Sequence, residues 1–416
     1  MRRTFTTTRL LLALLASPAF ALPTTDTLRS VLAQDSELAA ALAQQQAAES
    51  SAVLLEASPY EWTANLSAQQ RRTQGAANSQ EWNAALEHGL RLPGKAKLDR
   101  QQAELTRQAA TLEVAKTRQE IARELLERWL TWAQARERRT LLDQQRALAD
   151  TNLSGIRQRI RSGDGAVQEE TLALAELAGL ASQQAAAQLA EQQAEASLRS
   201  RFPSLSLTDA SLPPPSAPEG DTDTWRQRLL TNNPRLPLAR LQVQQLQVQA
   251  ERQVQERTPD PTVGVFTASE ASQTERIIGI SLSVPLSGQR RQQQAAQAQA
   301  EARVAELAAQ GEVRQQESDA ALAWLNADNQ FKVWRLTADS AQAQTLAAER
   351  GQKGFRLGET GVMELLQLRR QALAAAETEL AARANAWQAL LGLEIAGMRG
   401  WLATDAERES SVAPSP

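Results

Sequence analysis

Residues 260–300 read DPTVGVFTASEASQTERIIGISLSVPLSGQRRQQQAAQAQA. A short alternating segment turns, and a second alternating segment returns through Ile278, Ile280, Leu282 and Val284 on one side and Ile277, Gly279, Ser281 and Ser283 on the other. Period 2 is the repeat of a strand, because successive side chains point to opposite faces. At Pro285-Leu286-Ser287-Gly288 the pattern changes, and from Gln289 onward Gln, Ala, Glu and Arg dominate with no proline before Pro414. A β-hairpin that opens into a very long helix is an unusual unit. A second stretch has the same layout. Residues 60–69 alternate Tyr60, Trp62, Ala64, Leu66 and Ala68 against Glu61, Thr63, Asn65, Ser67 and Gln69. After the turn Gln74-Gly75-Ala76-Ala77-Asn78, residues 81–92 set Trp82, Ala84, Leu86, His88, Leu90 and Leu92 against Glu81, Asn83, Ala85, Glu87, Gly89 and Arg91. Strands of about ten residues with one apolar and one charged face suit a transmembrane barrel. A soluble antiparallel sheet with one wet face gives the same alternation. Tyr60, Trp62 and Trp82 fall where an aromatic membrane-interface belt would lie.

Outward from the hairpins the chain is helical. Its 416 residues hold 4% aromatics, nine Trp among them, no Cys and a single histidine, His88. Without Cys there is no disulfide or thiolate metal site, and one histidine leaves little room for a zinc centre or a Ser-His triad. No catalytic, metal or cofactor residue is expected. His88, on the apolar side of a strand, reads as a belt residue. Trp129 and Trp132 read as helix-packing residues, and Arg136, Arg138 and Arg139 as a solvated face. The acidic balance argues against nucleic acid. Residues 1–21 have the form of a signal peptide: Arg2, Arg3 and Arg9, an apolar run Leu10–Ala16, and Ala19-Phe20-Ala21 for cleavage. That run is too short to span a bilayer, which takes about 20 residues.

The spacing predicts a helix over 25–57 with Asp35 as a cap, a hairpin over 60–92, and a long helix over 95–161, about 100 Å at 1.5 Å per residue. Leu98, Leu105 and Leu112, then Val114 and Ile121, then Leu141 and Leu148, recur seven apart, which is coiled-coil spacing. Ser162-Gly163-Asp164-Gly165 breaks this helix, and a returning helix covers 167–201. A Pro-rich connector, 203–222, follows. Then come a helix over 223–257, the hairpin over 260–285, a long helix over 289–356, a break at Gly358-Glu359-Thr360-Gly361 and a last helix over 362–392. The tail 401–416 reads as disordered. Two structural repeats, 22–202 and 223–400, emerge. At an offset of 195, Arg161 pairs with Arg356, Gly163 with Gly358, Asp164 with Glu359, Val167 with Val362 and Glu169 with Glu364. Four strands cannot close a barrel, since bacterial barrels start at about eight. If the strands cross a membrane, several copies must share one barrel, and the helices need neighbours in the same way.

These features resemble the TolC-like outer membrane efflux protein family. The matching residues are the strand-to-helix passages Leu92-Pro93-Gly94-Lys95 and Val284-Pro285-Leu286-Ser287-Gly288, the turns Arg161-Ser162-Gly163 and Arg356-Leu357-Gly358, and Val362-Met363-Glu364-Leu365-Leu366. The resemblance implies a mainly α protein with a transmembrane β-barrel. It would be a homotrimer whose chains each give four strands to a shared twelve-stranded barrel and helices to a long periplasmic coiled-coil tunnel. Its partners would be outer membrane lipid, a periplasmic adaptor (membrane fusion protein) and an inner-membrane pump of the RND type. The function it implies is a passive exit duct without chemistry of its own. Pro93-Gly94-Lys95 looks more like the heavy-metal-efflux branch, of the CzcC or CusC type. Drug efflux and type I protein secretion are alternatives, and a periplasmic coiled-coil scaffold is a reading of a different class. Glu364 and Glu169 become candidates for a carboxylate ring at the tunnel entrance, with first-turn helix charge as the plainer account. The family often has a further acid three residues beyond Glu364, where this chain has Gln367. Arg161, Gly163, Asp164, Arg356, Gly358 and Glu359 become candidates for adaptor contact, alongside ordinary helix capping by glycine.

Overall fold

A computed structural model describes residues 25–72, 74, 75, 78–207, 211–271 and 274–397. The signal segment 1–21 and the tail 401–416 lie outside the described residues. Eight helices and four strands follow one another as α1 (Thr25–Ala33), α2 (Ser36–Glu56), β1 (Trp62–Arg71), β2 (Ser79–Gly89), α3 (Pro93–Arg161), α4 (Val167–Arg201), α5 (Thr222–Asn232), α6 (Arg235–Gln255), β3 (Thr262–Glu270), β4 (Glu275–Ser283), α7 (Gln289–Leu357) and α8 (Val362–Ala396).

Two helices expected to be continuous are broken. The helix over 25–57 stops at Ala33 because the Asp35 carboxylate accepts from the N–H groups of Glu37 (2.8 Å) and Leu38 (3.2 Å) and starts a new helix. The helix over 223–257 is interrupted at Asn233-Pro234. Proline disfavours the helical region for the residue before it, and Asn233 is extended, with φ −74° and ψ 117°. Pro237 is tolerated because it sits in the first turn of α6, where N–H groups have no helical partner.

The chain forms two compact units, to both of which α3 and α7 contribute. Each of these helices is 69 residues long. One unit comprises the chain up to Val31, Leu125–Ala217 and Asp328–Ala389. Its core sets Leu153 and Ile156 of α3 and Ala173 of α4 against Phe355 of α7 and Val362, Leu365 and Leu366 of α8. The first part of the Pro-rich connector packs elsewhere in this unit: Leu205 and Leu212 are buried, as is Phe202 just before it, and the Pro213 carbonyl accepts from Trp387 Nε1 at 2.7 Å. The basic run of α3 is tied down as well, since Arg138 pairs with Glu377 at 2.8 Å and Arg139 with Asp143 at 2.7 Å.

The other unit comprises Leu32–Glu124, Pro218–Ala327 and the chain from Leu390. Here Leu98 and Leu105, two of the seven-spaced residues, pack on Val248 and Leu241 of α6. The four strands form one antiparallel sheet in the order β1-β2-β3-β4. Its register puts Trp62, His88, Val263 and Leu282 in one row across the sheet. One face therefore carries Leu66, Leu86, Val265, Ile278, Ile280 and Leu282, and the other carries Asn65, Ser67, Gln69, Glu81, Glu87, Glu270 and Glu275. The apolar face is the bare one, with Leu66 83%, Ile278 87% and Ile280 86% exposed. β1 and β4 each present one unpaired edge.

Candidate functional site

Three regions bear on function, and the two helix-turn-helix tips come first. Both end a long helix with the same pair of hydrogen bonds. Gly163 N–H donates to the Ile160 carbonyl (3.1 Å) and Asp164 N–H to that of Arg159 (2.9 Å). Gly358 N–H donates to the Phe355 carbonyl (3.2 Å) and Glu359 N–H to that of Gly354 (2.8 Å). This is a Schellman cap, which needs a left-handed residue in the middle, and the two glycines supply φ +86° and +80°. The tips share a core: the Arg159 guanidinium lies 5.2 Å from the Phe355 ring centroid. Arg161, Asp164, Arg356 and Glu359 are exposed beyond it. Glu364 stands exposed in the first turn of α8. Glu169 sits in the first turn of α4, half-buried, with its Oε2 enclosed and without a hydrogen-bond partner. Behind the tips a polar ladder ties the helices together. Arg369 donates to Gln352 Oε1 at 2.7 Å, Gln352 Nε2 donates to Asn152 Oδ1 at 2.8 Å, and Arg370 donates to Glu176 at 2.7 Å. Burial, and then the charge of Arg356, push the Arg369 pKa down from its ordinary value.

The second region is the apolar face of the sheet. Trp62 stacks on His88, the ring centroids 4.6 Å apart. Trp82 pairs with Ala68 on the same face, six residues from the Trp62 row, or about 20 Å along the strand. Tyr60 is placed differently: its hydroxyl donates to Asp260 Oδ2 at 2.7 Å, which turns the ring toward the helices.

That bond leads to the third region, which sequence reasoning passed over. Lys95 is 1% exposed and bridges Asp260 (3.0 Å) and Glu256 (3.1 Å). Asp260 also accepts from Leu92 N–H at 3.1 Å. Arg252 reaches Asp99 at 2.7 Å as well as Glu256, Arg91 reaches Asp99 at 3.1 Å, and Arg291 reaches Glu256 at 3.0 Å. Surplus donors are taken up by backbone carbonyls, those of Leu55 and Glu56 by Arg91 and that of Glu256 by Arg291. A buried ion pair is tolerated when further hydrogen bonds offset its desolvation, and Asp260 and Glu256 each have several. The network joins the strand entries and exits to the ends of α2, α3, α6 and α7. Burial opposes ionisation of Asp260, but Tyr60, Lys95 and the Leu92 N–H outweigh it and hold the carboxyl below its usual range. Burial likewise opposes ionisation of Glu256, and Arg252 and Lys95 outweigh it. Pro93-Gly94-Lys95 was the visible trace of this junction in the sequence.

Among the described residues no group of three or more His, Cys, Asp or Glu is placed to hold a metal ion, and no helix is long and apolar enough to cross a membrane. No protein-family model matches the chain. No curated protein matches it either. Solved structures do. The Campylobacter jejuni CmeC outer membrane channel is 14% identical with a TM-score of 0.75, over 93% of this chain and 89% of that one. The outer membrane protein VceC of Vibrio cholerae is 16% identical with a TM-score of 0.74, over 90% and 96%. CusC, whose structures concern folding and transmembrane channel formation, is 16% identical with a TM-score of 0.67, over 92% and 98%. The chain has the fold of these outer membrane channels, a four-stranded antiparallel sheet continued by long helices.

Proposed function

We propose that the chain is one third of an outer membrane duct, a passive exit for cargo delivered from the periplasm by an inner-membrane pump through a periplasmic adaptor. The observation that carries this is the bare apolar face of a sheet with two open edges. In water such a face would aggregate, and in lipid the open edges would leave backbone groups unpaired. Three copies joined edge to edge satisfy both conditions, with the apolar face toward lipid and the carboxylate face toward the lumen. Val304, Leu307, Leu322 and Leu336, exposed along α7, offer the helices a matching contact between copies. Within this reading Trp62 and Trp82 mark the two edges of the lipid band. The tips with Arg161, Gly163, Asp164, Arg356, Gly358 and Glu359 meet the adaptor, and Glu364, more than Glu169, faces the entrance. For cargo, Glu364 favours cations. That agrees with the heavy-metal branch which Pro93-Gly94-Lys95 resembles, although Lys95 has a separate purpose at the junction.

Fractionation tests the reading. The protein should sediment with outer membranes and run as a heat-sensitive trimer on gels. A soluble periplasmic monomer or dimer would sink it and favour a coiled-coil scaffold. Deletion followed by challenge with metal ions and hydrophobic drugs tests the cargo, and sensitivity to drugs alone would refute metal export.

A further inference from the structure

The charges of the sheet are sorted by face. Glu81, Glu87, Glu270 and Glu275 all fall on the polar face, where Arg71 pairs with Glu81 at 3.1 Å and Glu270 at 3.7 Å. The only Arg, Lys, Asp or Glu of the four strands on the apolar face is Arg276. It closes the row Ala68, Trp82, Ser269, Arg276, at the end of the sheet away from the helices. Arg72, directly after β1, falls by alternation on the same side. Both arginines are exposed, and among the described residues neither is paired with a carboxylate, in contrast to Arg71. The row toward the helices from Arg276 holds Leu66, Ala84, Thr267 and Ile278, so the apolar band ends where the cations begin.

We propose that Arg276 and Arg72 bind phosphorylated lipid headgroups at the outer-leaflet rim of the membrane. This rests on the outer membrane reading above. A guanidinium at the border of a lipid-facing band has water or headgroups as its only counterparts, since the acids of the sheet point into the lumen. It fits phosphate oxygens in a bidentate manner. In the closed ring, β4 of one copy lies beside β1 of the next, so Arg276 and the neighbouring copy's Arg72 flank one seam. A phosphorylated lipid there would bridge two subunits.

The test uses the full-length protein in detergent, with diphosphoryl lipid A and the same lipid stripped of phosphate as probes. Lipid retained by the trimer is read by native mass spectrometry. Each arginine near an anionic headgroup contributes about fivefold in affinity, so the pair should favour the phosphorylated form by about 30-fold, less at high salt. The double variant R72Q/R276Q should bring that preference close to one while remaining trimeric, and E275Q, on the polar face, should leave it intact. Equal retention of both lipids by the unaltered protein, or a preference that persists in R72Q/R276Q, overturns the proposal while leaving the channel standing. A protein that never enters membranes overturns both.

Discussion

Replacing Lys95 by Met tests what joins the sheet to the helices. The ammonium is buried and touches Asp260 and Glu256. Methionine fills much of the same volume without the charge, so the loss is electrostatic. Removing one partner of a buried pair costs about 3–5 kcal/mol, because the other charge is left without compensation. Here the lower end applies. Asp260 keeps the Tyr60 hydroxyl and the Leu92 N–H, and Glu256 keeps Arg252 and Arg291. A loss of about 3 kcal/mol corresponds to a midpoint lower by about 6–12 °C for a unit of this size. Circular dichroism in detergent and the trimer-to-monomer shift on heated gels both read it. The network makes a sharper claim about coupling. Asp260→Asn alone should destabilise, yet K95M/D260N should cost less than the two changes summed, by about 1–3 kcal/mol. A K95M midpoint within about 2 °C of the unaltered protein, or additive effects in the double variant, would refute the junction as a coupled unit.

Five further outcomes follow. Burial and the bond to Asp260 raise the Tyr60 pKa from 10.0 to about 12. A raised pKa means that its contribution is present below pH 10 and fades from there toward 12, so the stability gap between the protein and Y60F should close over that window in pH-dependent melts. Conversely, the lowered pKa values of Asp260 and Glu256 give stability that is present above the ordinary carboxylate range, about pH 4, and is lost on further acidification. Gly163→Ala should cost about 1–2 kcal/mol by calorimetry, because a Cβ is strained at φ +86°, while Gly179→Ala in mid-helix with open space around it should stabilise slightly. Leu66→Arg on the apolar face should impair membrane assembly by about 2–4 kcal/mol, whereas Ser67→Arg next to it should be tolerated, and equal effects would undo the assignment of faces. Glu364→Gln should lower cation preference in single-channel recordings across a salt gradient. Unchanged selectivity would place Glu364 away from the constriction.

What could be read from the chain was what repeats with a period. Alternation over 60–69, 81–92 and 277–284 indicated which residues share a face, and the observed register keeps those groupings where the strands pair, over 62–69, 81–89 and 277–283. The glycine breaks at 163 and 358 stood out because little else in those helices interrupts the pattern. The breaks at Asp35 and Asn233-Pro234 were carried by single residues inside otherwise periodic stretches, and periodicity alone ran through them. The junction left almost no trace. Its members come from 55–60, 91–99, 252–260 and 291, segments far apart in the chain, and ion pairs between distant segments have no spacing rule. Tyr60 shows the consequence. By composition and position it is an interface aromatic, and only the fold reveals that its hydroxyl is committed to Asp260.

The two tips also show why likeness between the halves of the chain is easy to underrate. At the matched positions 159 and 354 the residues are Arg and Gly, and at 165 and 360 they are Gly and Thr. Residue by residue, both pairs count as mismatches. In space both glycines sit where the chain folds back, each against a different neighbour. A Cβ at Gly165 would come within 3.0 Å of the Ile160 side chain and 3.1 Å of its backbone nitrogen, and a Cβ at Gly354 within 2.4 Å of the Thr360 hydroxyl oxygen. At tip one the obstacle is residue 160, side chain and backbone, and at tip two it is the side chain of Thr360, so each tip has its own local reason for a glycine. Tip one gives up the residue after the turn and keeps Arg159 to lie over Phe355. Tip two gives up the residue before the turn and keeps Thr360. The backbone hydrogen bonds come out alike in both, so geometry is shared where sequence identity is lost, as it is between this chain and channels that match its fold at only 14–16% identity.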